Sequence, residues 1–176
     1  MKQFNLPNIN TPSYWNTHQT AMDFGLRQQR YADLAVGDSV VELGCGLSPF
    51  LFHLSAEERW GIDFSPETIE ICKEKYEGVN YLCEDVLHTS LPDKSTDTSV
   101  AGEVIEHLEN PEDLIREMER ITKKRIIIST PILEFEDPEH LWEFDEQYFK
   151  DRGFKTEVVE SERFIGRKYI FAWKDL

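Results

Sequence analysis

The sequence predicts an α/β fold: a Rossmann-like, seven-stranded, mostly parallel sheet with helices on both faces and an antiparallel C-terminal hairpin strand. Three observations predict it. Short apolar runs rich in Val, Ile and aromatic residues occupy 40–43, 60–62, 79–82, 98–104, 125–129, 155–159 and 169–173. Runs of that length and composition read as strands. Amphipathic stretches at helical spacing separate the earlier runs, the pattern of parallel strands covered on both faces by crossover helices. Between the last two runs, 160–168 reads only as a turn, so that pair closes as an antiparallel hairpin.

Taken in order, residues 1–13 are polar and carry Pro7 and Pro12, which predicts an irregular arm. From 14 to 34, Trp15, Met22, Leu26, Tyr31 and Leu34 recur at three-to-five spacing and predict a helix. Ser65-Pro66-Glu67 offers an N-cap, a proline at the first helical position and an early acid. Asn110-Pro111-Glu112-Asp113 repeats that logic, followed by one apolar stripe of Leu114, Ile115, Met118 and Ile121. The whole chain, 1–176, is expected to form a single domain. Residues 1–36 supply an arm and helix that act as a lid, and 37–176 supply the core.

Composition narrows the function. The chain has 176 residues, 40% of them hydrophobic, enough for a packed core. A formal net charge of −15 repels phosphate backbones, so nucleic acid is not the expected partner. The apolar runs are too short to cross a bilayer. The N-terminal stretch has no apolar signal region. Cys45, Cys72 and Cys83 include no CxxC pair, which suits reduced thiols in the cytoplasm. A monomer or homodimer is expected.

The first strand runs into Gly44-Cys45-Gly46. Glycines there let the chain turn tightly and let a ligand approach the backbone. A dinucleotide site needs a third glycine where this chain has Pro49, which disfavours NAD or FAD. Glu42, two residues before the turn, would repel a phosphate but suits a cation such as an amino-acid ammonium. The second strand ends at Asp63, where a carboxylate accepts both hydroxyls of a ribose. The third ends at Asp85, which can accept from an adenine amino group while the Val86 N–H donates to the ring. Ligands of open α/β sheets bind at these carboxyl ends.

At these positions the sequence resembles the class I S-adenosylmethionine-dependent methyltransferases of the type 11/12 kind. The matching pieces are VVELGCG, WGIDFSPE, CEDV, SLPDKSTDTSVAGEVIEHLENPEDLIREMERI and RIIISTP. The resemblance implies S-adenosyl-L-methionine as cofactor and S-adenosyl-L-homocysteine as product. It places Glu42, Gly44, Cys45 and Gly46 against the methionine part, with Glu103 on the same side. Asp63 would hold the ribose, Asp85 and Val86 the adenine edge, and Phe64 the adenine face. Ser48 stands where the family commonly has glycine, and Lys123-Lys124-Arg125 replaces its usual Pro-Gly-Gly. Tyr14, Trp15 and Arg27 fall in the segment that in the family closes over the cofactor.

Methyl transfer from a sulfonium is an in-line displacement, so alignment is much of the task. An oxygen or nitrogen acceptor also profits from a positioned base. The end of the fourth strand supplies one: in Glu103-Val104-Ile105-Glu106-His107, His107 and Glu106 are the catalytic candidates. An imidazole titrates near neutral pH and suits the role. This rim is similar to that of ubiquinone-pathway O-methyltransferases. It is also similar to small-RNA 3′-terminal 2′-O-methyltransferases, which add a downstream histidine and a divalent metal. No metal is expected here, but Glu103, Glu106, His107 and His140 form the set that would hold one. Trp15, His140 and Trp142 are the substrate candidates, the last two within the acidic, aromatic segment 134–146. The expected function is methylation of a small-molecule acceptor on oxygen or nitrogen. The alternatives are a metal-dependent RNA 2′-O-methyltransferase and a non-catalytic cofactor-binding partner subunit.

Overall fold

The computed structural model describes residues 2–3, 24–48, 50–132, 140–161 and 166–176. Trp15, Pro49 and most of the arm therefore lie outside the described residues, as does 133–139 of the acidic segment. In chain order the strands are β1 (Lys2–Gln3), β2 (Ser39–Leu43), β3 (Glu58–Asp63), β4 (Asn80–Cys83), β5 (Thr96–Gly102), β6 (Thr122–Ile132), β7 (Trp142–Glu143), β8 (Lys155–Glu160) and β9 (Lys168–Asp175). The helices are α1 (Phe24–Leu34), α2 (Phe50–His53), α3 (Pro66–Lys75), α4 (Pro111–Ile121) and α5 (Glu146–Lys150), with a 3-10 turn at Ile105–His107.

All seven expected strands join one sheet in the order β4-β3-β2-β5-β6-β9-β8. Pairing is parallel from β4 through β6, while β9 runs antiparallel to both β6 and β8. Successive side chains of a strand point to opposite faces. Both faces are buried here, which is why the strands read as continuous apolar runs. Val41, Ile126 and Ile128 pack with α4 residues Leu114 and Met118 on one face. Val40, Ile127, Tyr169 and Phe171 pack with Tyr31 and Phe50 on the other.

The helix starts follow local chemistry. Ser65 has extended backbone, and its hydroxyl accepts from Thr68 N at 3.2 Å, with Pro66 opening α3. Pro111 opens α4 in the same way, but Asn110 makes no side-chain cap bond. Its carbonyl instead accepts from Asp113 N at 3.1 Å. Two features were not expected. The first is α5, whose cap Asp145 accepts from Tyr148 N. The second is an antiparallel pairing of β1 with β7, which ties the first residues to the stretch after β6. No helix among the described residues is long and apolar enough to cross a membrane.

Candidate active site

A cavity of about 440 Å³ opens at the carboxyl ends of β2 to β5 and is covered on one side by α1. Its floor is the turn after β2. Gly44 and Gly46 hold φ of +71° and +50°, a region that disfavours other residues. A Cβ on Gly44 would also stand 2.5 Å from Val104 Cγ2. The Gly44 and Cys45 N–H groups both donate to the Ile62 carbonyl, at 2.8 and 3.0 Å, so the turn is tied to β3.

Asp63 ties it further. One carboxylate oxygen accepts from Gly46 N and the other from Ser65 N, each at 2.9 Å. Burial raises the Asp63 pKa and these two N–H bonds partly offset the rise. Each oxygen keeps a lone pair for a ligand. Glu42 is 4% exposed, and its Oε2 has no hydrogen-bond partner among the described residues. Burial pushes this carboxyl well above the usual range, while Arg27 and the Ser48 hydroxyl pull it back. Phe64 is exposed at the mouth, and Asp85 and Val86 line the wall. The Asp85 carboxylate also closes its own turn, accepting from Leu87 N at 2.9 Å.

The opposite wall comes from α1, through Arg27, Gln28 and Tyr31. Arg27 lies 3.8 Å from Glu103 Oε1. Ser129 donates to that same Glu103 oxygen at 2.9 Å, and the Tyr31 and Ser129 hydroxyls are 2.6 Å apart. A Cβ on Gly102 would meet the Tyr31 hydroxyl at 2.1 Å, so this approach requires glycine. Glu103 itself sits in the left-handed region at φ +58°. Burial raises the Glu103 pKa, against the pull of Arg27 and Ser129.

At the rim, Glu106 is 1% exposed and accepts the Thr130 hydroxyl at 3.1 Å. Burial first, and then the neighbouring Glu103, lift its pKa well above the usual value. Its other oxygen lies 3.9 Å from His107 Nε2. The Leu141 N–H donates to the Glu106 carbonyl at 2.8 Å, which brings the returning chain back to the rim. That bond sets His140 against His107, with ring centroids 4.8 Å apart at 73°. Glu106, His107 and His140 thus offer ligand atoms within 4.8 Å of one another. Glu103, the fourth residue of the expected set, turns to Ser129 and Arg27 instead. Trp142 is half-buried and donates its indole N–H to the Leu108 carbonyl, so it builds the wall beside the rim.

The glycine turn, the strand-end acids Asp63 and Asp85, Glu103 and His107 line one cavity. Gln28, Tyr31, Ser129 and Thr130 are not among the site residues expected from the sequence, Tyr31 entering there only as a marker of the helix. Their signals were present: Arg27, Gln28 and Tyr31 share one helix face, and Ser129-Thr130 is a polar pair at the end of an isoleucine run.

Residues 41–128 match the family described as "Methyltransferase domain". A curated relative from Mycobacterium tuberculosis, named a probable S-adenosylmethionine-dependent methyltransferase, is 27% identical over 131 residues. The match covers 72% of this chain and 46% of the relative, so the chain spans about half the length of that protein. Among solved structures, a SAM-dependent methyltransferase from Aquifex aeolicus superposes with TM-score 0.69 at 20% identity, covering 93% of this chain and 98% of the other. A magnesium protoporphyrin IX methyltransferase from Synechocystis, solved with bound SAH, gives 0.64 at 15% identity, covering 99% and 90%. At these identities the likeness shows the fold.

Proposed function

This chain belongs to the methyltransferase-domain family of S-adenosylmethionine-dependent enzymes, and on that premise we propose that it methylates an oxygen or nitrogen of a small-molecule acceptor, releasing S-adenosylhomocysteine. The observation that carries the reading is the unpartnered Glu42 Oε2 beside the glycine turn. A buried acceptor there suits an ammonium and repels a phosphate. Asp63 has lone pairs left for ribose hydroxyls, Phe64 offers an exposed face to adenine, and Asp85 with the Val86 N–H suits the adenine edge. The backbone at Gly44, Cys45 and Gly46 leaves room for the methionine chain.

When bound, the cofactor supplies a methyl group already activated by its sulfonium. The chain's own residues then have two tasks. The cavity walls, with α1 on one side, align the acceptor and exclude water. His107, on the cavity wall, takes the acceptor's proton on its imidazole, and Glu106 Oε1 near Nε2 steadies the ring. The net charge of −15 supports a small acceptor over a polyanion. The cysteine usage supports a cytoplasmic setting.

Calorimetric titration with S-adenosylhomocysteine, with NAD as control, tests the cofactor site. Micromolar binding with silence for NAD is expected, and the reverse would sink the reading. Transfer of labelled methyl groups into fractionated small molecules then identifies the acceptor. His107→Ala should lower turnover by roughly 10²–10⁴-fold. It should leave S-adenosylhomocysteine affinity unchanged.

One observation favours a second reading. The Glu106, His107 and His140 cluster suits a divalent cation such as Zn²⁺ or Mn²⁺. In that reading the ion would bind the acceptor hydroxyl, as for a 2′-hydroxyl of RNA, and His107 would be a ligand rather than a base. EDTA divides the two. Under the first reading turnover survives it, and under the second turnover is lost and returns with stoichiometric metal.

A further inference from the structure

Two thiols meet behind the glycine turn. Cys45 stands between Gly44 and Gly46 on the cavity wall. Cys72, on α3, is fully buried, and the two pack in one cluster with Ile69 and Tyr81. Both are free thiols. They share a side-chain hydrogen bond, and the Cys72 thiol also donates to the Gly46 carbonyl at 3.1 Å. The bond between the sulfurs lowers the Cys72 pKa and raises that of Cys45. Thiolates, rather than thiols, react with oxidants.

A third group completes the cluster. A Cβ on Gly61 would stand 2.6 Å from Tyr81 Cε1 and 3.1 Å from Cys45 Sγ, so the ring and the thiol meet over that glycine. The Tyr81 hydroxyl is buried and has no hydrogen-bond partner among the described residues. Burial first, and then Cys72 and Cys45, raise its pKa, which keeps it a donor. A buried donor left open beside two sulfurs suits an oxygen carried on one of them.

We propose that Cys45 and Cys72 form a peroxide-sensitive site, whose oxidation to a disulfide closes the cavity to its cofactor. Hydrogen peroxide enters through the empty cavity and meets Cys45. Cys72, as thiolate, takes the Cys45 proton, and the Cys45 sulfur attacks a peroxide oxygen. The O–O bond breaks, hydroxide leaves and is protonated to water, and Cys45 becomes a sulfenic acid whose oxygen accepts from Tyr81. The Cys72 sulfur then attacks Cys45, the S–O bond breaks, and the departing hydroxide leaves as water with the Cys72 proton. Two thiols are oxidised, and one peroxide is reduced to two waters. Covalently joined sulfurs stand closer than hydrogen-bonded ones, so the turn is drawn towards α3. Gly46, which donates to Asp63 Oδ2, moves with it. The loss of affinity rests on the cofactor reading above, whereas the bond itself does not.

The test treats the full chain with hydrogen peroxide, removes the excess with catalase, and divides the sample between peptide mapping and calorimetry with S-adenosylhomocysteine. A peptide linking Cys45 to Cys72 is expected, with affinity reduced roughly tenfold or more and restored by dithiothreitol. Prior saturation with S-adenosylhomocysteine should slow the linkage, because the ligand covers Cys45. Cys72→Ser should bind like the reduced wild type and keep its affinity after peroxide. Cys83→Ser should respond like the wild type, which separates the pair from the exposed thiol. Tyr81→Phe should form the same bond more slowly. Absence of the linked peptide in the wild type overturns the proposal, and so does a linked protein that binds with unchanged affinity. Failure of the untreated protein to bind S-adenosylhomocysteine overturns the cofactor reading, while the linked peptide still decides whether the pair is oxidised.

Discussion

Gly44 concentrates two requirements in one position, a left-handed backbone and a Cβ site already filled by Val104. Gly44→Ala should cost about 1–2 kcal/mol in backbone strain alone. It should also weaken S-adenosylhomocysteine binding by more than tenfold. Thermal unfolding and calorimetry check the two effects separately. Glu112 supports a pH prediction away from the site. Its carboxylate accepts from Arg152 Nε at 2.9 Å and from the Tyr148 hydroxyl at 2.8 Å. The Arg152 bond first, and then Tyr148, hold its pKa below the ordinary value against the opposing effect of burial. A depressed carboxyl stabilises the fold above its unfolded pKa of about 4.3, and that contribution is lost as pH falls through the lower folded value. Glu112→Gln should therefore lower the urea midpoint at pH 7, and the difference from wild type should vanish towards pH 3. Sequence made Glu42 and Asp63 legible because an acid at a strand end beside a glycine turn has few other uses. Asp85 was equally visible, but its carboxylate serves its own turn as well. Gln28 was not, because an amide on a helix face is not distinctive in sequence.

At the scale of elements, α3 and α4 begin with the same Pro at N1 and end up capped differently. Ser65→Ala removes a real side-chain bond and should cost about 1 kcal/mol. Asn110→Ala removes none and should cost only a few tenths. Urea denaturation of the two variants side by side makes the comparison, and equal losses would contradict it. The distinction was invisible in sequence, since Ser-Pro-Glu and Asn-Pro-Glu carry the same signature and only side-chain orientation separates them. Strands were more legible. Burial on both faces forces an unbroken apolar run, so Ile126-Ile127-Ile128 and Val40-Val41 identify themselves. The β1 and β7 pair carries no such mark. Two residues on each side pair through the backbone, a bond that leaves no side-chain signature in the sequence.

The whole molecule is built around β5, β6 and β9, where the buried faces meet and pairing is longest. Amide exchange, followed by mass spectrometry, should be slowest in these strands and fastest in β1, β7 and the exposed β8, because local opening tracks buried contact. The overall outline was readable because period and composition repeat from strand to strand. The position of β9 has one more consequence. It follows both β6 and β8 in the chain, yet it sits inside the sheet, between them. Until it is synthesised, β6 presents an open edge carrying three consecutive isoleucines, the kind of strand that recruits other nascent chains. Lys123, Lys124 and Arg125 stand immediately before those isoleucines. A basic triplet at the start of such a strand is the kind of flanking charge that discourages pairing between chains while the β6 edge is still open.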